Sequence, residues 1–238
     1  MGAPRPERKE SIMLRIGKTD RQGFTLIEIV IAVAIVAIFA AALTPMVFRH
    51  LEEAKISKAQ NEAETIATAV LCYYKDVGCW PYTNNTTNNR PSGNEVDRVI
   101  SSSAVAAGVG PDAASGADRW GSYMVAKPLG DYLYYNNPDD NSSADGANAN
   151  EANQDWPTSG PGAWRGPYID RYTINDPWGH AYVINARFFP GGIYTGTVRH
   201  KVFVLSAGPN GKWETGYAND ASEEITGDDI GALIAITN

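Results

Sequence analysis

The sequence predicts an α+β protein: one long N-terminal helix, half transmembrane and half amphipathic, packed on a small antiparallel β-sheet. Three observations predict it. An unusually apolar run fills residues 24–47, a one-sided apolar stripe continues from it to Gly78, and the C-terminal third holds β-rich runs parted by a Pro-Gly-Gly turn. With 238 residues, 43% of them apolar and 20% charged, the chain is long enough to bury a core. Its net charge of -7 and pI near 5.0 exclude a nucleic-acid partner, because counterion release at phosphates needs clustered Lys and Arg.

The first element is the membrane segment. Residues 1–23 carry six Lys or Arg (Arg5, Arg8, Lys9, Arg15, Lys18, Arg21) against three acids, a basic flank that holds the N-terminus on the cytoplasmic side. The run that follows is long enough, at about 1.5 Å per residue, to cross a hydrocarbon core of about 30 Å. Met13 is an alternative start that leaves the same pattern. A cleaved secretory signal ending near Ala40-Ala41-Ala42 and a plain anchor are the competing readings. Neither accounts for Glu28, a carboxylate inside the run that costs roughly 2.5–3.5 kcal/mol near a bilayer centre.

GFTLIE, residues 23–28, resembles the processing site of type IV pilins and type II secretion pseudopilins. The resemblance implies cleavage by a prepilin peptidase between Gly23 and Phe24, and N-methylation of Phe24. It also implies that Glu28 neutralises the N-terminal amine of a neighbouring subunit during assembly, and that Pro45 is the helix-interrupting proline of this superfamily. The motif is specific for the superfamily and silent about its branches.

Beyond Pro45, the residues Val47, Leu51, Ala54, Ala59, Ala63, Ile66, Val70, Tyr74 and Val77 recur at helical spacing among charged residues. They do not keep a strict heptad, so a helix packed on its own globular domain is expected rather than a coiled coil. Pro45 removes one helical hydrogen bond, and Gly78 supplies the stop. The only cysteines, Cys72 and Cys79, are expected to form a disulfide in an exported chain, two thiolates being too few for structural zinc; two free, buried thiols are the alternative.

An insertion rich in Asn, Ser, Ala, Gly and Asp, at about residues 84–163, is read as loops, with short elements expected at 95–107 and 129–135. Runs at 180–189 and 198–206 read as strands, and 230–236 as an edge strand. So few strands need one face covered by the helix stripe. The expected organisation is a leader at 1–23, a transmembrane and filament-core helix at 24–47, and a periplasmic globular domain at 48–238.

WRGPYID at 164–170 and DPWGHAYVI at 176–184 narrow the resemblance to the type II secretion major pseudopilin, the G-type subunit. In DPWG, Asp176 is expected to cap the turn, Gly179 to allow positive φ, and Trp178 to anchor the loop in the core. The acidic stretch 206–230 resembles the calcium loop of that subunit. The resemblance implies a structural calcium held by Asn210, by Asp228 or Asp229, and by a carbonyl at Ala207. Asn210 replaces an Asp of the pattern, which removes a charge. Hard oxygen donors on a glycine-rich loop suit calcium; a solvated acidic loop is the plain alternative.

The implied protein is a non-enzymatic subunit of a homo-oligomeric filament, inserted in the inner membrane with its C-terminal domain in the periplasm. Its implied partners are a prepilin peptidase, minor pseudopilins and an inner-membrane assembly platform. A type IV pilus subunit is the nearest alternative. A secreted enzyme or binding protein behind a conventional signal peptide is the alternative of another class, although no nucleophile, phosphate or zinc-protease motif is present.

Overall fold

The computed structural model describes residues 23–81, 98–101, 126–136, 156–192, 194–217, 222 and 224–237. The leader at 1–22, most of the 84–163 insertion with Trp120 and Tyr123, and the acids Asp220 and Glu223 lie outside the described residues. The chain forms two compact units, Met1–Phe48 and Arg49–Asn238. Helix α1, Leu26–Val77, contributes to both.

In the first unit every described residue is exposed, including Phe24, Ile31, Val36 and Phe39. The helix is long and apolar enough to cross a membrane, and its most apolar window buries nothing inside the protein. It starts at a capping box. The Thr25 N–H and hydroxyl each donate to Glu28 Oε2 at 2.8 Å, and the Glu28 N–H donates back to Thr25 Oγ1 at 3.3 Å. Glu28, expected to lack a partner within its own chain, therefore has one in Thr25. α1 continues through Pro45, where the Thr44 hydroxyl donates to the Ala40 carbonyl at 2.6 Å.

In the second unit α1 buries Ala59, Ala63, Ile66, Ala67, Ala69, Val70, Tyr73 and Val77. The buried face begins at Ala59; Leu51 and Ala54, expected on it, are exposed, and Tyr73 rather than Tyr74 faces inward. Four alanines lie on this face, and burial of Ile66 and Val70 stabilises by about 1.5–3 kcal/mol each. Polar ties fix the contact: Tyr182 OH donates to Glu62 at 2.9 Å, Trp156 Nε1 to Tyr73 OH at 2.7 Å, and Tyr168 OH to Asp76 at 3.1 Å. Burial raises the Tyr168 hydroxyl to about 12 and pushes that of Tyr73 well above its ordinary value.

The sheet contains β1 (Arg98–Ile100), β2 (Ala126–Pro128), β3 (Val183–Ile184), β4 (Lys201–Ser206) and β5 (Ile230–Ile236) in the order β2-β1-β3-β4-β5. The expected antiparallel meander holds for β3, β4 and β5, but β1 and β2 pair in parallel, so the sheet is mixed. A short helix, α2 (Leu129–Leu133), follows β2. Only Val183–Ile184 of the expected 180–189 strand is β. The ladder stops because Asn185, fully buried, replaces it with its side chain: Nδ2 donates to the carbonyls of Lys201 and Tyr217, and Oδ1 accepts the Phe203 N–H. A 3-10 turn, Ala186–Phe188, comes next.

The expected disulfide is not formed. Cys72 is exposed on α1, away from the face that buries Val70 and Tyr73, whereas Cys79 is buried after Gly78 turns the chain inward at φ +79°. The Cys79 thiol donates to the Trp80 carbonyl at 3.6 Å. Trp80 stacks between Tyr74 and Phe189, with centroids 3.9 and 4.7 Å away, which holds this segment against the core.

Candidate functional site

Two places carry the expected functional residues, and they belong to different units. At the N-terminus, Gly23 has no heavy atom near the position a Cβ would take, and Phe24 is 82% exposed. Among the described residues nothing covers the Gly23–Phe24 peptide. Glu28 commits only Oε2 to its capping box, and Oε1 makes no hydrogen bond among the described residues.

The second place is the loop between β4 and β5. It begins at a buried anchor. Asp176 Oδ1 accepts the N–H groups of Trp178 at 3.0 Å and His180 at 2.8 Å, the turn cap expected of DPWG, with Gly179 at φ +95°. Its Oδ2 accepts the Ser206 hydroxyl at 2.6 Å, and Ser206 Oγ in turn accepts the Gly208 N–H at 3.1 Å. Trp178 does not enter the core as expected: it is half-buried, and its indole N–H reaches Glu52 of α1 at 3.3 Å. Lys55 first, and then Trp178, hold the Glu52 carboxyl below its ordinary range.

Ser206, Asp176 and His180 are close together, yet their order is not that of a nucleophile and its base. The Ser206 hydroxyl is fully buried and donates to the carboxylate, while His180 Nδ1 lies 3.6 Å from the same carboxylate. The cluster is a structural link from the DPWG turn to the loop.

Within the loop the structure brings Asn210 and Asp228 together and sends Asp229 elsewhere. The Asn210 N–H donates to Asp228 Oδ2 at 2.9 Å, and Asn210 Oδ1 accepts the Lys212 N–H at 2.6 Å. Ala207 is fully buried beside them, and a Cβ on Gly208 would collide with the Asp228 carbonyl, so glycine is required there. Asp229 Oδ2 instead accepts the N–H groups of Glu214 at 3.0 Å and Thr215 at 2.7 Å. Glu214, not expected to play a structural part, closes the loop through the Asp228 N–H at 2.8 Å. Its position among the acids of the segment was the only signal in the sequence.

Each carboxylate keeps one oxygen, Asp228 Oδ1 and Asp229 Oδ1, buried and without a hydrogen-bond partner among the described residues. Such orphaned acceptors fit a hard cation, which is bound through oxygens alone. Among the described residues, no three His, Cys, Asp or Glu side chains are grouped to hold a metal, so an ion here would draw on Asn210 and backbone carbonyls as well.

Burial pushes the Asp229 carboxyl up to about 6; the Thr215 and Glu214 N–H groups offset part of this and the Glu214 charge adds to it. With chelator present, the folded chain then holds a proton that the unfolded chain, at 3.8, has released. Stability is expected to fall as pH rises from about 4 to about 6, by on the order of 1–2 kcal/mol after solvent screening at the loop. Urea unfolding across that range measures it, and Asp229→Asn should flatten the slope. A slope unaltered by that substitution rejects the assignment.

Residues 18–44 match the family described as the prokaryotic N-terminal methylation motif. The chain is 37% identical over 91 residues to the type IV major pilin protein PilE1 of Neisseria gonorrhoeae, covering 38% of this chain and 42% of that protein. It is 36% identical over 94 residues to the fimbrial protein EcpC of Eikenella corrodens, covering 39% and 61%. To the type II secretion system core protein G of Pseudomonas aeruginosa it is 34% identical over 80 residues, covering 32% and 56%. The matches thus span between about two fifths and three fifths of these relatives' lengths. No solved structure matches.

Proposed function

We propose that this chain, which is type IV pilin-like and near the G-type pseudopilins, is a non-enzymatic structural subunit of a type II secretion pseudopilus. A prepilin peptidase cuts between Gly23 and Phe24 and methylates Phe24. The mature chain sits in the inner membrane, its N-terminus cytoplasmic and its C-terminal domain periplasmic, until an inner-membrane assembly platform polymerises it with minor pseudopilins. Filament growth then helps to drive protein export across the outer membrane. The observation that carries the reading is the N-terminal methylation motif with Glu28 in the part of α1 up to Phe48, which is otherwise uncharged and wholly exposed. A helical segment that buries nothing among the described residues and holds one carboxylate suits packing against copies of itself better than isolation in lipid.

The acidic loop supports the secretion branch. Calcium is the ion proposed there, with Asp228 and Asn210 as side-chain ligands and a carbonyl near Ala207 contributing, because Asp228 is the carboxylate that faces Asn210 and the Gly208 turn. The bound ion supplies charge neutralisation and order, and no catalysis. A type IV pilus role is the second reading, favoured by the similarity to PilE1 and EcpC. Deleting the gene separates the two. Under the proposal, exported proteins accumulate in the periplasm and the intact gene restores their release. Unchanged secretion with loss of surface fibres decides for the pilus.

A further inference from the structure

An open groove of about 660 Å³ runs between α1 and the end of the acidic loop, lined by Ile56, Gln60, Asn61, Ile225, Asp229 and Ile230 among others. Gln60 Nε2 donates to the Gly231 carbonyl at 3.3 Å and closes one side. Three isoleucines share the walls with the polar side chains of Ser57, Gln60 and Asn61, and the groove contains a carboxylate. Asp229 is 7% exposed, and its Oδ1 has no hydrogen-bond partner although its Oδ2 has two. A carboxylate on the wall of a groove that also carries isoleucines suits a side chain with an aliphatic stem and a cationic head.

We infer that the groove receives a second copy of this chain, whose Arg49 places its guanidinium against Asp229. Charge complementarity, with the filament reading, points to a cation on α1 of the copy. On the second-unit part of α1, Lys55 bonds Glu52 at 2.9 Å, Lys58 faces Glu62 at 3.7 Å and His50 faces Glu53 at 3.2 Å. Arg49 makes no ion pair among the described residues, and Lys75 lies in the last turn, at the other end. From Arg49 to Ile56 and Gln60 is about 10–17 Å of helical rise, too far along α1 for Arg49 to serve its own groove. A parallel copy shifted by that amount towards the C-terminal end of α1 brings its Arg49 level with Asp229. Leu51 and Ile56, 52% and 43% exposed, supply apolar surface alongside. Arginine suits the position because its planar fork offers several donors to one carboxylate and sheds water more readily than an ammonium.

This inference rests on the filament reading, so the test uses full-length chain assembled in its own membrane. Arg49→Lys retains the charge and allows zero-length coupling of the amine to a carboxylate. Expected are multimers joined between position 49 and Asp229 by peptide mass spectrometry, and lost in Arg49→Lys combined with Asp229→Asn. Arg49→Glu should lower filament yield about tenfold or more while leaving membrane insertion and the calcium response unchanged. Filaments without the 49–229 linkage, a linkage only to another protein, or wild-type yield from Arg49→Glu overturns the docking alone. Absence of filaments from the unsubstituted chain overturns the filament reading, and the docking with it.

Discussion

Glu28→Ala is expected to insert in the membrane and be cleaved as the unsubstituted chain is, and to give filament yields lower by at least about tenfold. One carboxylate oxygen is bound by Thr25; under the proposed assembly the other would take the amine that cleavage would create on Phe24 of a neighbour. In lipid such a pair is strong and its loss leaves a charged amine unpaired, at a cost of roughly 3 kcal/mol or more. Alanine also removes the capping box, worth about 1 kcal/mol at a helix start. Glu28→Gln separates the two effects, because an amide at this position still accepts from Thr25 but carries no charge. Yields restored by glutamine would assign Glu28 to capping alone and remove its role in assembly. Sheared-filament yield, normalised to membrane-inserted subunit, is the measurement.

Chelation is expected to produce the second large effect. At calcium one hundredfold above its Kd, binding to the folded state alone stabilises by about 2.7 kcal/mol. For a unit the size of Arg49–Asn238 that corresponds to a melting temperature higher by about 5–10 °C. Thermal unfolding of segment 49–238 should show this difference between calcium and chelator, should show little of it with magnesium, and should lose it in Asp228→Ala. Magnesium is disfavoured because a loop of carbonyls and carboxylates does not impose the tight octahedron it requires. Melting unchanged by chelation means that the loop is closed by its own hydrogen bonds, chiefly those of Asp228 and Asp229 to backbone N–H groups, and needs no ion.

Much of this architecture was legible in the sequence because it rests on local rules. The stripe from Ala59 to Val77 has helical period, Gly78 is a helix stop, and 230–236 is β5 to the residue. Asp176 caps its turn by reaching N–H groups two and four residues on, a local contact that composition foretells. The errors were non-local. The run 180–189 has strand composition throughout, but a buried Asn185 bonded to three distant backbone groups ends the strand after two residues. Trp178 reads as a core anchor by type, yet its contact is a carboxylate on α1, 126 residues away. Cys72 and Cys79 are neighbours in sequence, but a helix face and a positive-φ glycine give them opposite environments.

By itself the sequence determined the membrane segment, the processing signature, the long helix and the β-character of the C-terminal third. Each follows from hydropathy, period or turn chemistry within about a dozen residues. Only the tertiary structure decided that Asp228 and Asp229, adjacent in the chain, do different things. Asp228 lies in the turn that Gly227 makes at φ +67°, and Asp229 follows it just before β5, so one carboxylate meets Asn210 while the other meets Thr215 and the groove beside α1. Which side holds which partner depends on where α1 and the Ser206–Asp176 anchor place the loop, and packing over long sequence separations sets that position.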